Sequence, residues 1–137
     1  MCSGYASGEF TSPLQKVMEA IAELVAEGTD GPALGDEIVL LQRGINQLHA
    51  VQLRELVRFD RQGGPEAEGA RSSAAWARYR LNMAGSVAAA RVSAARVLPE
   101  LDETRAAFEA GDITFGHVAV ITVGEGLAPP GPRRPSQ

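Results

Sequence analysis

Residues 36–61 read DEIVLLQRGINQLHAVQLRELVRFDR, and the spacing within them decides the fold class. Ile38, Leu41, Ile45 and Leu48 recur at alternating intervals of three and four, and Leu53, Leu56, Val57 and Phe59 continue the seam on a rotated face. That period puts the apolar side chains on one side of an α-helix; a strand would alternate every second residue. Asp36 is placed to cap the helix, and Gly63-Gly64-Pro65 stops it after Arg61. Its length is on the order of 37 Å. A seam that long needs a partner, either within the chain or in a second copy.

Before it, Gly28 to Pro32 is a breaker run that separates a first helix. Ser12 and Gln15 have capping-box spacing, Pro13 fits the first helical position, and Leu14, Val17, Met18, Ile21, Leu24 and Val25 share a face. Residues 1–11 have no period and are expected to be a disordered leader. The two helices predict an antiparallel hairpin over residues 12–61, in which the first covers about half of the longer seam.

After it, Gln62 to Ala70 is rich in Gly and Glu and reads as a linker. Three or four short helices then follow over residues 71–123: Ser72 to Leu81, Ser86 to Val97, Glu100 to Ala110, and Thr114 to Val123 with Thr114 as cap. From Gly124 a Pro- and Gly-rich tail, residues 124–137, is expected to be disordered. The fold expected is therefore all-α, a long helical hairpin followed by a short-helix bundle with a helix-turn-helix-like pair.

Composition agrees with that expectation. The chain has 137 residues, one domain's worth, and is 45% apolar but only 5% aromatic, with 22 alanines. Such a core is built from Leu, Ile, Val and Ala on helices. Trp76 stands among Ala74, Ala75 and Ala77 and reads as a core anchor filling the gap between small neighbours. Cys2, His49 and His117 are too few and too scattered for a zinc site, so no metal and no cofactor is expected. No stretch approaches a membrane span, and a reducing, cytoplasmic setting is the default. Glu100, Asp102 and Glu103 cluster at a helix start, where the helix dipole explains them without catalysis.

The net charge of −4 conceals an uneven distribution. Residues 71–98 contain no acid and five arginines, Arg71, Arg78, Arg80, Arg91 and Arg96, between flanking segments of net −6 and −3. An acid-free arginine surface suits the phosphates of double-stranded DNA. The same arginines could instead pair with acids of the long helix, and charge alone leaves both readings open.

The run from Gly69 to Ile121 resembles the 13E12 repeat family, also called domain of unknown function 222. The matching features are Ala75-Trp76, Arg80-Leu81, Ala88, Arg91-Val92, the Leu101 to Thr104 turn, Ala106-Ala107-Phe108, Ala110-Gly111-Asp112-Ile113 and His117. The helix ending in Phe59 to Gly63 also suits the segment that precedes this run in the family. Many members resemble a helical region followed by an HNH endonuclease module. Three local departures stand out: Ala84-Gly85-Ser86-Val87 replaces a Ser-Pro-Gly-Glu helix start, Ala89 and Ala90 replace arginines, and Asp102 replaces a proline. After His117 the sequence holds no His or Cys from which HNH chemistry could be built, so the chain as it stands should not cut DNA and looks like a truncated or frameshifted copy. The turn at Asn82 to Gly85 also resembles the helix-turn-helix of partition proteins, which would put Arg91 and Arg96 in the major groove and Arg78 and Arg80 on phosphates.

Two functions follow as expectations. One is a non-catalytic, DNA-associated helical domain contacting duplex DNA through Arg71, Arg78, Arg80, Arg91 and Arg96. The alternative is a helical interaction module without nucleic-acid binding, forming a homodimer through the long helix 36–61.

Overall fold

The computed structural model describes residues 12–126, so the expected leader 1–11 and most of the expected tail lie outside the described residues. Among them the backbone forms helices and no strand, as the sequence predicts. The chain separates into two compact units between Val39 and Leu40.

The first unit carries α1 (Pro13–Glu27). Ser12 Oγ accepts the Gln15 N–H at 3.1 Å, Pro13 opens the helix, and the Gly28 N–H closes it on the Leu24 carbonyl at 2.7 Å. No residue of α1 is buried. The second helix, α2 (Leu34–Arg61), begins two residues earlier than expected. Asp36 is therefore not its cap: it lies with Glu37 in the first turn, where negative charge favours the helix dipole.

The second unit is built on the C-terminal half of α2, from which Ala50, Leu53, Leu56 and Val57 enter the core. Against them lie α4 (Ser73–Arg80), α5 (Gly85–Val97), a 3-10 turn (Leu98–Glu100), α6 (Asp102–Glu109) and α7 (Phe115–Gly126). Helix α5 buries Ala88, Val92, Ala94 and Ala95 and packs on both α4 and α7. Three alanines among four buried positions let neighbouring backbones approach closely, which explains how a core so poor in aromatics fills its volume. Phe108 and Val118 are its fully buried contributions from α6 and α7.

Local chemistry sets the boundaries. Ser72 Oγ accepts the Ala75 N–H at 3.0 Å and caps α4, whereas Ala84 offers α5 no side-chain cap. Thr114 Oγ1 accepts the His117 N–H at 3.2 Å, so the expected cap of α7 is present. Pro99 lacks the N–H that would continue α5, so a 3-10 turn intervenes and α6 starts at Asp102, not Glu100. Helix α7 continues to Gly126, the last described residue and three past Val123.

The segment Gln62–Ala70, expected to be a linker, contains the one-turn helix α3 (Gly64–Ala67), which buries Pro65. The Phe59 ring occupies the space a side chain at residue 64 would need, and then packs on Trp76 with ring centroids 4.6 Å apart. Trp76, expected as a core anchor, is partly buried and packs against the edge of the core without belonging to its buried cluster. No helix among the described residues is long and apolar enough to cross a membrane.

Candidate functional site

The five arginines of residues 71–98 meet different fates. Arg96 grips Asp60 of α2 with two hydrogen bonds, Nε to Oδ2 at 3.0 Å and Nη2 to Oδ1 at 2.8 Å, and the buried Ser73 hydroxyl donates to the same carboxylate. Arg91 donates to Gln52 Oε1 at 2.8 Å and lies 4.5 Å from the centre of the Phe115 ring, a cation–π contact. Arg80 pairs with Glu68 at 2.8 Å, and the Trp76 indole N–H donates to the same oxygen at 2.7 Å. Arg71 and Arg78 are exposed and make no ion pair among the described residues. Three of the five therefore bind the short helices to α2 and α3.

Two groups tie this packing to pH. Asp60 is held at about 2, well below its ordinary 3.8, chiefly by the hydrogen bonds from Arg96 and Ser73. Its charged form is favoured by folding, so its contribution is present above pH 4 and fades as the pH falls towards 2. Because Arg96 is more than half exposed, solvent screening limits this to about 1–2 kcal/mol. His49 is lowered by burial and then by the charge of Arg91. Folding therefore favours its neutral form, and stability declines as the pH drops below 6.5. Thermal melts between pH 8 and 2 are expected to lose stability in two stages, the upper absent from His49→Gln and the lower from Asp60→Asn. An unchanged profile in either variant contradicts its assignment.

A second set of arginines lies outside the acid-free segment. Arg54, Arg58 and Arg61 fall on one side of α2 and, with Arg105 of α6, edge a cleft of about 210 Å³. Leu53, Val57 and Leu98, core residues at most 5% exposed, form its apolar floor with Pro99, and Glu109 is the one acid in the lining. Glu55 pairs with Arg58 at 2.6 Å and approaches Arg54 at 3.5 Å, while Asp102 meets Arg105 at 3.2 Å. Arg61 has no carboxylate partner within ion-pair distance among the described residues. A count of charge along the chain misses this group, since Glu55 and Asp60 interleave with it. The signal that finds it is helical spacing: positions 54, 58 and 61 share a face.

The turn between α6 and α7 holds one wall of that cleft to α2. Arg43 Nη1 donates to the Ala110 carbonyl and to Asp112, both at 2.8 Å, Asn46 Nδ2 to the Gly111 carbonyl at 3.0 Å, and Gln47 Nε2 to the Glu109 carbonyl at 3.1 Å. Three consecutive carbonyls that the end of α6 would leave unpaired thus receive side chains from α2.

These features define an all-α domain whose short helices are fixed to one long helix by polar side chains. The profile of a family described as Domain of unknown function (DUF222) matches residues 39–129, more than half of the chain, and the chain belongs to that family. No curated protein and no solved structure matches it.

Proposed function

We propose that this chain is a non-catalytic helical interaction module that associates with a second copy through the N-terminal half of α2. The observation that supports this reading is the exposure of the seam: Ile38 is 58% exposed, Leu41 42%, Ile45 47% and Leu48 42%. Their alternating spacing is that of a coiled-coil seam, and contiguous apolar surface of this kind marks an association site. Leu53, Leu56 and Val57, further along the same helix, are buried in the domain core. One helix thus commits Leu53, Leu56 and Val57 to the core and, N-terminal to them, carries an exposed apolar row beside the polar side chains of Arg43, Asn46 and Gln47 that hold the α6–α7 turn.

DNA association through the acid-free segment is less favoured, since Arg80, Arg91 and Arg96 already serve the protein's own packing and leave Arg71 and Arg78 to meet phosphate. Sedimentation equilibrium tests the proposal. The chain is expected to be a dimer, and the double variant Ile38→Glu with Ile45→Glu a monomer with unchanged helical circular dichroism. A monomer before any substitution, or a dimer that survives both changes, rejects the seam as an interface.

A further inference from the structure

We propose that the cleft edged by Arg54, Arg58, Arg61 and Arg105 binds a single-chain aliphatic carboxylate, with the tail on the apolar lining and the head among the guanidinium groups. This is a site apart from the α2 seam and goes beyond the association reading. Its carrying observation is that one cleft is lined both by apolar side chains and by four arginines. The volume, about 210 Å³, exceeds the roughly 150 Å³ apolar cavity that accepts benzene, so it accommodates several methylenes. Leu53, Val57, Leu98 and Pro99 offer such a tail nothing polar from their side chains, which disfavours a fully charged ligand such as inorganic phosphate.

The head group is specified by charge. Arginine guanidinium groups match carboxylate geometry and hydrogen-bond it in pairs. The exposed pairs of Arg58 with Glu55 and of Arg105 Nη2 with Asp102 exchange at little cost, while Arg105 Nη1 stays on the Pro99 carbonyl at 2.8 Å and only the rest of that guanidinium faces the head group. Glu109 opposes the four arginines in the lining, leaving it net positive by three. Arg61, without a carboxylate within ion-pair distance among the described residues, can receive a carboxylate without displacing another acid.

The test uses sodium decanoate below its micelle-forming concentration, read by methyl NMR of the full chain. Saturable shifts are expected at Leu53, Val57 and Leu98, with affinity rising about two- to fourfold per methylene from hexanoate to decanoate. Arg58→Glu with Arg61→Glu should weaken decanoate at least tenfold, and decyltrimethylammonium should not compete. If the reversal variant does not fold, Arg58→Gln with Arg61→Gln at the same exposed positions should weaken it in the same direction. Shifts centred on Ile38 to Leu48, equal binding of the cationic amphiphile, or unaltered affinity in the folded variants overturns the site. So does a duplex DNA that binds through these arginines while decanoate produces no shift. The seam variant Ile38→Glu with Ile45→Glu should bind decanoate normally, so failure of either proposal is read separately.

Discussion

Gly111→Ala is expected to destabilise the domain by about 3 kcal/mol, a large share of the roughly 5–15 kcal/mol that holds a domain of this size folded. Two independent costs combine. Gly111 has φ of +85°, a conformation in which a side chain is strained by about 1 kcal/mol or more. A Cβ there would also lie 2.9 Å from the Arg43 carbonyl oxygen and against the Arg43 side chain. The carbonyl belongs to the backbone of α2 and cannot rotate aside, so the turn itself must retreat. Retreat breaks the hydrogen bonds from Arg43, Asn46 and Gln47 and leaves the buried Asn46 amide without its Gly111 acceptor. Urea unfolding of Gly111→Ala should show a lower midpoint with a similar slope. Asn46→Ala should cost less in the Gly111→Ala background than alone, because the same contact is then lost only once. A substitution tolerated within a few tenths of a kcal/mol would mean that the turn is not held by α2.

What could be read from the sequence divides along the range of the interactions. Ser12, Gly28 and Thr114 act within three or four residues of themselves, so their capping roles follow from local spacing. The Ala-Gly-Asp-Ile run, residues 110–113, is legible as a turn, but its Ala110 and Gly111 carbonyls, together with that of Glu109 before it, face donors more than 60 residues earlier. The Asp60–Arg96 pair spans 36 residues in the same way. Charge counting singled out residues 71–98 correctly as acid-free, yet the acids that engage Arg80 and Arg96 lie outside that window, on α3's edge and on α2. Conversely, Glu55 and Asp60 disguised the arginines of the cleft, which only a helical projection brings onto one face. The one-turn helix α3 was hidden for another reason: Gly and Glu in a short segment signal a loop, and the burial of Pro65 there comes from tertiary packing.

Phe108→Ala should be the most damaging single truncation, at about 3–5 kcal/mol. Phe108 is fully buried and is the largest such side chain among the described residues, and it is the sole buried residue of α6. An eight-residue helix has almost no stability of its own and persists only through its packed face. Removing the ring therefore withdraws the apolar anchor of the element that places Arg105 and Glu109 at the cleft. The polar contacts of Arg43, Asn46 and Gln47 remain at the far end of α6, so the expected result is a folded but weakened domain. Hydrogen exchange of the α6 amides should accelerate more than that of α4, which packs on α5. Phe108→Leu, which keeps much of the volume, should cost about a third as much. Equal exchange in α4 and α6 would show that the ring supports the core uniformly and does not specifically hold the wall of the cleft.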